Sequence, residues 1–124
     1  MKKRFIIFAA SLLGAFHAIA KDLPDEHKCF DPTSTKASEV IGCLTNIQKT
    51  VEADLNETYQ FSMTQYMPPK LRANLRKTQR LWISYRDAVC TARPELELDG
   101  TNVCIIKITK DRITDIERFY AILR

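Results

Sequence analysis

Cys29, Cys43, Cys90 and Cys104 form two pairs in a chain of 124 residues, each pair with thirteen residues between its members. An even count of cysteines in a small exported domain reads as two disulfides. Zinc is the rival use of four sulfurs, but structural zinc sites usually draw on short spacings such as C-x2-C. Four cysteines allow three connectivities. The two local closures, Cys29–Cys43 and Cys90–Cys104, are favoured, and each would contribute roughly 3 kcal/mol in the chain-entropy picture.

Export is read from the N-terminus. Lys2, Lys3 and Arg4 precede an apolar run from Phe5 to Ala15, and Ala18-Ile19-Ala20 is a small-x-small cleavage site. This is the layout of a signal peptide, residues 1–20, with Lys21 as the expected mature N-terminus. The apolar run is too short to span a bilayer, no later segment comes near the ~18 apolar residues required, and no cysteine stands directly after it, at the cleavage site, to carry a lipid. Residues 21–124 then form a single domain, in the periplasm or the medium. Removing the three basic residues of the leader leaves 16 basic against 15 acidic side chains, a formal +1. On that sum the mature chain lacks the basic patch a nucleic-acid partner demands, and none is expected.

Hydrophobic spacing supplies the elements. Residues 21–35 are polar and carry Pro24 and Pro32, an irregular arm pinned by Cys29. Ser34 or Thr35 can cap a first helix, whose stripe is Val40, Leu44, Ile47, Val51, Leu55, Tyr59, Met63 and Tyr66. It must end before Pro68-Pro69. Met63, Tyr66 and Met67 are expected to close the far end of the molecule. A second helix starts after the Pro pair with Leu71, Leu75, Thr78, Trp82, Tyr85 and Val89 as its stripe, and Arg93-Pro94 ends it. A polar, acidic loop, PELELDGTN, follows. A short strand at 103–108 fits the β-branched run, and a third helix is favoured from about Thr109, with Ile113, Ile116, Phe119, Tyr120 and Leu123 on one side. The fold class is all-α: a small disulfide-stapled antiparallel bundle of three main helices. The second helix returns Cys90 toward the Cys29/Cys43 end, so crossed disulfide pairing stays open.

Three motifs lie along these helices: Asp54-Leu55-Asn56-x2-Tyr59, Gln79-x2-Trp82-x2-Tyr85-Arg86-Asp87-x2-Cys90 and Cys104-x3-Ile108-Thr109-x2-Arg112. Together they resemble the LprI N-terminal-type domain, a family that takes its name from a secreted lysozyme inhibitor. The resemblance runs from about Cys29 to Leu123. It implies an exported, non-enzymatic protein that binds a protein partner, lysozyme or a related muramidase. An envelope structural or stress-related interaction domain, or a periplasmic immunity protein, is the alternative.

The charged residues of these motifs border apolar stripes. A charge so placed requires a partner. Asp54, Asn56, Gln79, Arg86, Asp87, Thr109 and Arg112 are therefore read as a structural polar network in which Asp54 pairs with Arg86 or Arg112, and Trp82 as the central core residue of the second helix. A hydrolytic site with Asp54 or Asp87 as base is disfavoured, because a small three-helix bundle has little room for a wet cleft. His27 is the only histidine of the mature chain, so neither a His-based triad nor a metal cluster can be assembled, and no cofactor is expected. The sequon Asn56-Glu57-Thr58 falls mid-helix. Glu95, Leu96, Glu97, Leu98 and Asp99 alternate acidic and apolar side chains between Cys90 and Cys104, and are the candidate partner-binding residues.

Overall fold

The structure is a computed structural model that describes residues 22–30, 33, 36–64, 67–92 and 98–121, without the side chains of 98, 99, 120 and 121. The expected leader, residues 1–20, and Ser34 and Thr35 as expected helix caps fall outside the described residues. A 3-10 turn, Glu26–Cys29, precedes three helices: α1 Ala37–Thr64, α2 Pro69–Thr91 and α3 Leu98–Ala121. Among the described residues there is no strand.

Each boundary has a local cause. Asp25 caps the 3-10 turn, its Oδ1 accepting from the His27 backbone N–H at 3.0 Å. Pro68 and Pro69 open α2, where a ring without an N–H is tolerated because first-turn donors lack helical partners anyway. At 28 residues α1 is about 42 Å long, enough to support the rest of the molecule along one edge.

The third helix departs from the sequence reading. It begins at Leu98, so Val103, Cys104, Ile105, Ile106 and Ile108 are helical and not a strand. The spacing Val103, Ile106, Ile113, Ile116 explains why. These four lie on one side of a helix, and Ile106, Ile113 and Ile116 are buried. Burial of that stripe outweighs the modest strand preference of β-branched residues.

Antiparallel order in the second half follows from two cross-links. Cys90, at the end of α2, is bonded to Cys104, near the start of α3. Gln79, upstream on α2, accepts from Arg112, downstream on α3. The most extensive contact is between α1 and α3, which share Leu44, Val51, Leu55, Ile106, Ile113 and Ile116; Leu75 of α2 and Met67 in the turn complete the core. Met67 closes the far end as expected, whereas Tyr66 lies outside the described residues.

The second helix is less embedded than its stripe suggested. Leu75 and Cys90 are its fully buried residues, Leu71 and Trp82 are half-buried, and Tyr85 and Val89 are exposed. Close backbone approaches join α2 chiefly to α3, so its buried face is narrow. Trp82, expected from sequence to be the central core residue of this helix, packs instead at the edge of the core, and Leu75 holds the central place. Phe119 is likewise exposed near the end of α3.

A bonded pair, Cys29–Cys43, fixes the arm to α1 with Cα atoms 5.6 Å apart, and Cys90–Cys104 has the same separation. The local pairing is thus the one formed, and no cysteine is free.

Candidate partner-binding site and its supporting network

The predicted polar residues divide into those the fold gathers and those it leaves apart. Arg86 is the hub. Its side chain is only 16% exposed; Nε donates to Asp87 Oδ1 at 2.9 Å and Nη1 to Glu52 Oε1 at 3.5 Å. Its guanidinium lies 5.2 Å from the centroid of the Trp82 ring, and that of Arg112 lies 6.0 Å from the same centroid. Two cations thus share one indole, a geometry that suits the negative ring faces. Arg112 also donates through Nε to Gln79 Oε1 at 2.9 Å and through Nη2 to Thr78 Oγ1 at 3.4 Å. Thr109 is fully buried, and its hydroxyl donates to the Ile105 carbonyl at 2.6 Å.

The carboxylate that meets Arg86 is Glu52 and not Asp54. Two positions along a helix turn a side chain through about 200°, so Glu52 flanks the side of α1 that faces α2 while Asp54 flanks the other. Gln48, one turn before Glu52, donates to its Oε1 at 3.3 Å and steadies it. Asp54 is half-buried and Asn56 exposed on α1; neither joins the network around Trp82. Arg86 bridges a real gap, since α1 and α2 make few close backbone approaches.

A second ion pair had no signal in the sequence. Glu26, 5% exposed in the 3-10 turn, accepts from Lys110 Nζ at 2.5 Å. Burial by itself would raise its pKa, but the hydrogen bond from Lys110, its own backbone N–H and the charges of Lys110 and His27 more than offset this, so Glu26 stays below the usual carboxylate range. Glu26 lies in a polar arm without periodicity, so only the packing of that arm shows that it is covered. Among the described residues no buried side-chain polar atom lacks a partner.

The candidate binding segment lies at the end closed by Cys90–Cys104. α2 ends at Thr91, and the backbone N–H of Ala92 bonds the Ala88 carbonyl. Glu95, Leu96 and Glu97 lie outside the described residues. Leu98 and Asp99 form the first turn of α3, so from Leu98 onward the sequence-based loop of 91–103 is helical.

Charge is distributed far less evenly than the +1 sum implied. α2 holds six basic residues, Lys70, Arg72, Arg76, Lys77, Arg80 and Arg86, against Asp87 alone. α1 holds Glu39, Glu52, Asp54 and Glu57 against Lys49. The formal +1 sum averages over this polarity and hides the basic excess of α2.

Fold and site together define a small, disulfide-stapled helical domain in which the motif arginines Arg86 and Arg112 bond across to neighbouring helices. The chain belongs to the LprI family: the family described as Lysozyme inhibitor LprI matches residues 29–116, 88 of the 124. No curated protein and no solved structure matches it.

Proposed function

We propose that this protein is an exported, non-enzymatic inhibitor of lysozyme or a related muramidase, and that the segment between Cys90 and Cys104 is its contact surface. Membership of the lysozyme inhibitor LprI family is the observation that carries the reading. Two disulfides, with no helix among the described residues long and apolar enough to cross a membrane, are compatible with export.

The segment is supported on physical grounds. Its ends are held by a disulfide with Cα atoms 5.6 Å apart and it is helical from Leu98, both of which limit the conformational entropy it can lose on docking. Glu95, Glu97 and Asp99 place three carboxylates within five positions, interleaved with Leu96 and Leu98. Lysozymes are commonly cationic, and local complementary charge raises the association rate more than the final affinity. The outward face of α2 has the wrong sign for such a partner. Arg86, Trp82, Arg112 and Gln79 support the site from behind by joining the helices that carry it. The test is inhibition of cell-wall lysis by the exported protein and by a Glu95→Ala/Glu97→Ala/Asp99→Ala variant with an unchanged melting curve. Inhibition by the first and its loss in the second are the expected results.

A further inference from the structure

The outward face of α2 has no role in the reading above. Helical geometry sets Lys70, Ala73, Lys77, Arg80, Leu81, Ser84 and Ala88 opposite buried Leu75, and all seven are exposed. From Pro69 to Tyr85 the helix contains no carboxylate. Among the described residues, Lys70, Arg72, Arg76, Lys77 and Arg80 take part in no ion pair. Ala73, Arg76, Lys77, Arg80 and Leu81 line a shallow open depression there. Leu81 and Tyr85, one turn apart on the flank of the basic stripe, are 61% and 59% exposed, and Ile83 is exposed on the other flank.

We infer that this face docks the protein on an anionic phospholipid surface. Charge complementarity sets the sign of the partner. The apolar side chains select the kind of partner: a polyanion in water rewards only the cations, whereas Leu81 and Tyr85, one turn apart on the same flank, gain by leaving water at the boundary between headgroups and acyl chains. A basic helix with apolar side chains among its charges fits that boundary, its Lys and Arg stems reaching up to the phosphates. The acidic excess of α1 gives the molecule a charge asymmetry that orients α2 toward a negative plane. Docking of this kind leaves the Cys90–Cys104 end to a protein partner, and it stands whether or not that end inhibits lysozyme.

The experiment is co-sedimentation with vesicles of phosphatidylcholine alone or mixed with phosphatidylglycerol, using protein recovered after export so that every variant has the same N-terminus. Binding should require phosphatidylglycerol and weaken with added salt. Arg76→Gln/Lys77→Gln/Arg80→Gln should weaken partitioning by about tenfold or more. Leu81→Ser/Tyr85→Ser should weaken it several-fold, with melting curves confirming that both variants fold. Equal binding to phosphatidylcholine, or wild-type binding by the charge variant, overturns the proposal. So does wild-type vesicle binding by the apolar variant, which would make this a general polyanion site.

Discussion

The guanidinium of Arg86 covers the Trp82 ring at 5.2 Å while its Nη1 reaches Glu52 on α1, so one side chain ties the edge of the core to the neighbouring helix. Arg86→Ala is expected to destabilise the fold by about 1–3 kcal/mol, chiefly through the lost cation–π contact and the packing of its half-buried stem, with a smaller part from the pair with Glu52. Arg86→Lys should recover only part of this, because an ammonium cannot hold Asp87 and Glu52 with a planar fork. Urea unfolding of both variants reads the difference. Full stability of Arg86→Ala combined with loss of partner binding would make Arg86 a binding residue.

Leu75 and Trp82 are ranked by burial. Leu75, fully buried, should cost about 2–5 kcal/mol on truncation to Ala. Trp82, half-buried at the core's edge, should cost no more than that despite its size, on the order of 2–3 kcal/mol. Thermal melts of the two single variants decide the order; a far larger loss for Trp82→Ala would restore it to the centre of the core.

Disulfide chemistry offers a direct count. Titration of the denatured protein should find no reactive thiol, and peptide mass mapping should recover Cys29 joined to Cys43 and Cys90 to Cys104. Replacing one pair with serines should cost roughly 3 kcal/mol. Four titratable thiols would remove the staples on which the account rests.

Stability should vary with acid through Glu26. Its folded pKa lies below the ordinary value, since the Lys110 bond and nearby charges outweigh burial. The stabilisation is therefore complete above the usual glutamate range and is lost as pH falls through the folded pKa. Glu26→Gln should destabilise at neutral pH by about 1–2 kcal/mol, and the gap to wild type should close in acid. Glu117 has the opposite sign: burial raises its pKa, so its charge opposes folding at neutral pH and Glu117→Gln should be neutral to stabilising there. Melting curves measured across the acidic range separate the two.

Stripes buried on one side were legible in the sequence, and those at a shared edge were not. Val51, Leu55 and Leu44 read correctly because α1 is covered along one broad face. Tyr85 and Val89 continue a good helical period, yet α2 has a neighbour chiefly on its α3 side, and periodicity cannot report how many neighbours a helix has. The run Val103–Ile108 carries strand-forming residues and a helical spacing at once, and the burial of Ile106 decided between them. Arg86 was recognisable as a charge needing a partner, but Glu52 and Asp54 both border the same stripe. Choosing between them requires knowing on which side α2 lies. The paired Glu26 and Lys110 are 84 residues apart, and nothing local in either connects them.

The proposed contact segment is tested most directly by lysis of cell walls by lysozyme, followed by turbidity, with the protein and its Glu95→Ala/Glu97→Ala/Asp99→Ala variant at equal concentration. The wild-type protein should slow lysis, salt should weaken the inhibition by slowing association, and the folded variant should have lost most of it. Equal inhibition by the two proteins would contradict the segment between Cys90 and Cys104 as the contact surface, and undiminished lysis with either would contradict lysozyme inhibition itself.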